Sequence, residues 1–272
     1  MATEKLPPPL ITKEHGSWAV LFVPMLVSVG VAGKLTFDLV LLALSALAVF
    51  LSYVPAQILL RYHTGTAQNE QKLTQARFWG PAYFLIAILF ITPLLINGYL
   101  LLLGFGALGA ISFLGNFYLV RTIAKTVASD LVAVAGLTLS APSAYYVLTG
   151  TIERTAFVLY ALNLLFFGCS VFYVHMKIRA TSTKSPAMSW SDKLSLGKLN
   201  LFYHIAVVSL VALLAALHFT RIVALIAFVP MLIHGVYGTV NLTGRVRFKN
   251  LGLLLLGQSL LFGILLWYFT WV

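Results

Sequence analysis

Gln57 and Arg61 stand four residues apart near the end of one apolar run, and His175 and Arg179 repeat that spacing near the end of another. Four residues make about one helical turn, so each pair would share a helix face. Arg121 and Lys125 have the same spacing, with Asn116 and Tyr118 just before them and Asp130 just after. His63 follows Arg61 by two positions. Cations so placed can hold a phosphate or diphosphate through charge-assisted hydrogen bonds. Asp130 and Glu14 are the acids positioned to act as a base beside such an anion. The candidate substrate-binding set is therefore Gln57, Arg61, His63, Tyr118, Arg121, Lys125, His175 and Arg179, with Asp130 and Glu14 as candidate catalytic groups. The plainer account is that each cation only orients the chain and meets lipid head groups. For Asp130 it is a structural ion pair with Lys125, Arg121 or a cation from another helix, and for Glu14 an electrostatic role at a helix start.

These residues must be carried by membrane-spanning helices. The 272 residues are 60% hydrophobic and 9% charged, with a mean hydropathy of +0.96. So few charges cannot coat a soluble globule of this size. The apolar runs predict nine spans, at about 17–32, 37–60, 78–97, 99–120, 126–150, 154–174, 200–217, 221–240 and 251–272. The expected fold is an all-α bundle: a cytoplasmic segment at 1–16, then a single nine-helix domain at 17–272. Polar loops are expected at 61–77 and 175–199.

The formal charge of +11 fits that reading. With the N-terminus in the cytoplasm and the C-terminus outside, every Lys and Arg except Lys34, Arg154 and Arg221 falls on the cytoplasmic side, as membrane insertion favours. No basic segment carries a nucleic-acid motif, so no nucleic-acid partner is expected. Residues 1–15 do not read as a cleaved signal, because charges and the Pro7–Pro9 run precede an apolar stretch that contains Pro24. The expected setting is a multi-pass protein of the cell (inner) membrane, in contact with lipid.

Other chemistries have less support. The single Cys169 rules out an intramolecular disulfide. His15, His63 and His175 could converge, but no His-x-x-x-His pair supports a metal or haem site, and no cofactor is expected. His204, His234, Asn241 and Gln258 add polar groups to the last three spans. Gly104, Gly106, Ala107, Gly109, Ala110 and Gly115 form a stripe of small residues. Gly106 and Ala110, four apart, read as tight helix packing.

The Glu14-His15-Gly16-Ser17-Trp18 opening is similar to that of the YwiC-like membrane proteins. More distantly, Lys13–Trp18 followed by Leu21 and Pro24, and Tyr118…Arg121…Lys125, resemble the first-helix entry and the basic turn between helices 4 and 5 of UbiA-type intramembrane prenyltransferases. That resemblance implies nine helices and a cytoplasmic cavity for an isoprenoid diphosphate. The superfamily's acid-rich motifs are missing. Residues 55–63 and 172–179 carry basic or neutral side chains in their place. Carboxylates hold Mg²⁺ against a diphosphate, so the usual Mg²⁺ site is not expected.

Three functions remain. One is an enzyme acting on an isoprenoid or lipid-linked (di)phosphate with cations in place of Mg²⁺. The second is a non-catalytic lipid- or quinone-binding protein that assists assembly of another complex. The third is an anion or lipid transporter, disfavoured by the lack of an internal repeat. The sequence does not specify an oligomeric state.

Overall fold

Helix starts follow the short polar side chains. In the computed structural model, which describes residues 7–12, 15–64, 69–123, 125–183 and 188–271, Thr36, Asn69, Thr126 and Ser189 each accept a backbone N–H from the first turn of the helix they precede. Such caps satisfy donors that the helix itself leaves unpaired. Thr126 and Ser129 do so reciprocally, a capping box that starts α5 immediately after Lys125. The described chain is helical with no strands. Its elements are α1 (His15–Ala32), α2 (Phe37–His63), α3 (Glu70–Ile96), α4 (Leu101–Thr122), α5 (Val127–Thr138), α6 (Ser140–Thr149), α7 (Arg154–Ser182), α8 (Trp190–Ala216), α9 (Ala224–Val240) and α10 (Phe248–Trp271).

Three expectations are corrected. The polar stretches 61–77 and 175–199 are mostly helix. α2 runs to His63, α3 starts at Glu70, α7 runs to Ser182 and α8 starts at Trp190. Polar residues do not end a helix by themselves, and the caps Asn69 and Ser189 extend the next helix into the polar region.

The run at 126–150 is interrupted at Leu139. Pro142 has no N–H to give the carbonyl four residues back, that of Thr138. Ser143 instead bonds the Leu139 carbonyl with both its backbone N–H (3.1 Å) and its hydroxyl (2.8 Å). α1 braces the break. Ser140 Oγ donates to the Leu21 carbonyl (2.8 Å), and Ser28 Oγ donates to the Ala141 carbonyl (2.9 Å).

Gly106 and Ala110 of α4 are not a packing face within their unit, whereas Gly115 stands against Val132 of α5. A Cβ at Gly104, Gly106 or Gly109 would meet nothing there. α4 attaches through another face, where Ser112 and Asn116 donate to the Val132 and Ser129 carbonyls of α5.

The contacts divide the chain into two compact units. The first comprises residues 1–14 and 35–102. Its core is the α2–α3 hairpin, joined by Ser45 Oγ donating to the Ala87 carbonyl (3.0 Å) and Tyr99 OH donating to Asp38 (3.2 Å). Trp79 Nε1 ties the Pro7 carbonyl to α3 (2.9 Å).

The second unit comprises residues 15–34 and 103–272. α7 packs on α5, α6, α8 and α9, while α1 lies on α6 and α10. Phe166 of α7 stacks on Phe262 of α10 at 3.9 Å, and Phe228 of α9 meets Phe262 edge-on at 5.3 Å. All three rings are buried.

Among the described residues, seven helical spans are long and apolar enough to cross a membrane, with α5 and α6 together counting as one. α1 and α9 are shorter apolar helices. Large side chains such as Phe84, Leu89, Ile111, Phe202 and Ile264 are exposed on these helices. An exposed apolar surface of this extent is stable against lipid, not water.

Candidate functional site

The second unit gathers polar groups at the end where α5 begins, α7 ends and α8 begins. Asp130 lies in the first turn of α5, where a carboxylate is favoured by the helix dipole. His175 Nε2 of α7 approaches Asp130 Oδ2 to 2.9 Å, and Lys125 Nζ approaches the other oxygen, Oδ1, to 4.0 Å. The side chains of His175 and Asp130 are only 13% and 24% exposed, against 55% for Lys125. The contact between Asp130 and His175 is thus the sheltered one.

Arg179 is exposed one turn beyond His175, on the same face of α7. His175 and Arg179 line a narrow cleft with Val127, Phe172, Met176, Leu196, Leu199 and Asn200. It has room for about one water molecule. Val127 is the first residue of α5, so the cleft lies at a helix N-terminus.

Behind the cleft, α8 and α9 share a buried polar seam. Asn200 Nδ2 donates to the Gly235 carbonyl and to Thr239 Oγ1, both at 3.1 Å. Thr239 Oγ1 donates to Gly235 O at 2.8 Å. His204 Nδ1 lies 2.7 Å from the Asn200 carbonyl, one turn earlier on the same helix. Asn200 Oδ1 has no hydrogen-bond partner among the described residues, although Asn200 is 1% exposed.

The expected site residues are distributed unevenly. Lys125, Asp130, His175 and Arg179 come together in the second unit. Gln57, Arg61 and His63 lie on α2 of the first unit, where Gln57 Nε2 donates to Tyr53 OH (2.8 Å). Arg121 and Lys125 do not share a helix face, because α4 ends at Thr122 and Lys125 precedes the cap of α5. Tyr118 is 66% exposed on α4. Glu14 and the side chain of His15 lie outside the described residues. Among the described residues no three His, Cys, Asp or Glu side chains form a metal-ligand group.

Two lysines counted only as cytoplasmic charges have specific partners. Lys177 Nζ donates to the Gly238 carbonyl, and Lys193 Nζ to the Val240 carbonyl, both at 3.0 Å. They stand at the C-terminus of α9, where carbonyls lack intrahelical donors. Neither contact has a signal in the sequence, because both acceptors are backbone carbonyls of another helix.

These features define the protein as a multi-pass, α-helical integral membrane protein. Residues 11–145 match the family model described as YwiC-like protein, in agreement with the Glu14–Trp18 opening. The match includes Lys125 and Asp130 and stops before His175 and Arg179. No curated protein and no solved structure matches the chain.

Proposed function

We propose that the protein crosses the membrane nine times, N-terminus in the cytoplasm and C-terminus outside, and holds a phosphorylated lipid at the cytoplasmic end of the second unit. The seven long spans together with α1 and α9 supply nine passes. The 17 residues of α9 reach about 26 Å at 1.5 Å per residue, close to the bilayer core of about 30 Å. The basic residues then sort as membrane insertion favours.

The observation that carries the ligand reading is the sheltered contact between His175 and Asp130, flanked by Lys125 and Arg179, at the N-terminus of α5. Asp130 sets one negative charge beside the cations of Lys125 and Arg179. Arg179 and Lys125 are exposed enough to meet a phosphate at the rim. A helix N-terminus adds favourable potential for an anion. The likeness to prenyltransferases makes an isoprenoid diphosphate one candidate. Among the described residues, one carboxylate between a histidine and a lysine does not fit a Mg²⁺ site, which uses carboxylates and water oxygens. The anion would therefore be held by side-chain cations.

The test is the unfolding midpoint of the detergent-purified protein with farnesyl diphosphate or phosphatidylglycerol, each with Mg²⁺ and with EDTA. A ligand specific for the native state, present at 100 times its Kd, adds about 2.7 kcal/mol. The expected result is a shift that survives EDTA and disappears in the Lys125→Ala, Arg179→Ala double variant. No shift with either ligand sinks the reading.

The His175–Asp130 geometry also favours a second reading, catalysis at the same site. Asp130 would orient the imidazole and His175 would move the proton. His175→Gln would then abolish turnover while leaving the ligand-induced midpoint shift in place. Loss of binding and turnover together would count against it.

A further inference from the structure

α1 and α10 run parallel. A Cβ on Gly263 of α10 would meet Val23 and Val27 of α1, while Trp267, one turn later, lies against Gly30. Both helices therefore end on the same side of the second unit. Between their C-terminal halves is a cavity of about 200 Å³, walled by Leu26, Val29 and Gly30 on one side and Leu260, Ile264 and Trp267 on the other. No lining side chain is charged. Gly30 shapes the cavity: a Cβ there would stand 2.5 Å from the Trp267 ring, so glycine lets the indole lie on the α1 backbone as a wall. Leu26, Ile264 and Trp267 are exposed, which puts the cavity on a surface that faces lipid. A void there forfeits dispersion contacts along its lining, and hydrocarbon is the solvent at hand.

The depth of the cavity is marked by aromatic side chains. Trp267 and Tyr268 are exposed at this end of α10, and such rings favour the boundary between hydrocarbon and head groups. Lys34 follows Gly30 by four residues, just beyond the end of α1 at Ala32, within reach of the same boundary. It is exposed and has no hydrogen-bond or ion-pair partner among the described residues. The nearest acid in the chain, Asp38, accepts from Tyr99 OH instead. Arg154, another of the three cations assigned to that side, is engaged by the His218 carbonyl and the Phe219 ring. An apolar slot below an uncommitted ammonium matches the layout of a phospholipid, chain below and phosphate above.

We infer that an anionic glycerophospholipid binds here, with one acyl chain in the cavity between α1 and α10 and its phosphate on Lys34. The site is separate from the cluster around Asp130, and it takes from the proposed topology only the name of its side, the outer one.

The test uses the full chain in phosphatidylcholine nanodiscs that hold a minor fraction of phosphatidylglycerol with a photoreactive diazirine in one acyl chain. Cross-links are mapped by mass spectrometry, and diazirine-labelled phosphatidylcholine is the comparison. The expected result is labelling concentrated on residues 23–30 and 260–267, about threefold stronger for phosphatidylglycerol, the worth of one exposed charge contact. Lys34→Gln should bring the two lipids to parity. Val29→Phe, which fills the cavity, should remove the label from both segments with either lipid. The Lys125→Ala, Arg179→Ala variant should label as the native chain does, so the cytoplasmic phosphate reading can fail without touching this one.

If Val29→Phe does not fold, the comparison of the two lipids on the native chain and on Lys34→Gln still decides. Equal labelling by both lipids on the native chain, or labelling spread evenly over the exposed apolar faces, would show general contact with the bilayer only and overturn the inference.

Discussion

Lys177 and Lys193, from α7 and α8, donate to carbonyls two residues apart at the C-terminus of α9: those of Gly238 and Val240, each at 3.0 Å. Two helices are thereby pinned to the end of a third. The cations meet the negative end of the helix dipole and carbonyls that the helix cannot pair.

Replacing Lys177 by Met should therefore cost about 1–2 kcal/mol, since the Gly238 carbonyl loses its donor while the alkyl packing is kept. Lys177 also lies 5.3 Å from the ring centroid of Tyr173, which adds a small cation–π contribution. Lys193 is more exposed, so Lys193→Met should cost about half as much or less. Unfolding midpoints in one detergent check both. Equal and negligible effects would show that the pinning does not contribute to stability.

Glycines of the second unit should divide sharply on substitution by alanine. At Gly235 a Cβ would stand 2.5 Å from His204 Nε2, and at Gly238 it would collide with Tyr173 OH. His204 and Tyr173 are both buried, with little freedom to yield. Gly235→Ala and Gly238→Ala should destabilise by about 1–3 kcal/mol. Gly106→Ala meets nothing and should be neutral or stabilise by up to about 1 kcal/mol, from helix propensity. Thermal unfolding of the three variants would check the order, and a large loss at Gly106 would reveal a packing partner on that face.

The Asp130 interactions should prove unequal. A double-mutant cycle of His175→Gln and Asp130→Asn should give a coupling of about 1 kcal/mol, because the pair is sheltered and 2.9 Å apart. The corresponding cycle of Lys125→Ala and Asp130→Asn should give a coupling below about 0.5 kcal/mol, as the Lys125 side chain is 55% exposed and stands 4.0 Å from Asp130. Stability measured at low and high salt checks this: the small Lys125 effect should fade with salt, and the His175 coupling should persist.

The orientation can be read with cysteines. Cys169 is buried at 2% exposure, so the native chain should be silent to a membrane-impermeant maleimide. Lys34→Cys should label from outside intact cells, and Lys193→Cys only in inverted vesicles. The reverse pattern would invert the topology.

Much of the frame is legible in the chain. Apolar runs announce helices because hydrocarbon excludes unpaired backbone, and the caps at Thr36, Asn69, Thr126 and Ser189 place helix starts. The break at Leu139 was available too, in Pro142, but length and hydropathy across 126–150 mask a single missing donor. The supposed loops were misread because composition marks where water begins, whereas helix ends depend on caps. Arg121 and Lys125 were paired by spacing alone, which holds only while a helix continues, and Thr126 starts a new one.

Sequence by itself determined that this is an all-α membrane protein, because 60% apolar and 9% charged residues leave water no surface to wet. It also supplied Lys125 and Asp130, close enough in the chain to approach each other. Tertiary structure decided that Asp130 meets His175, 45 residues away. It also assigned the α2 residues Gln57, Arg61 and His63 to the other compact unit, and it left the Asn200 oxygen without a donor among the described residues. Hydrophobicity is a property of each run, but a contact between distant side chains depends on which helices become neighbours and how each is turned, and that is set by packing across the whole unit.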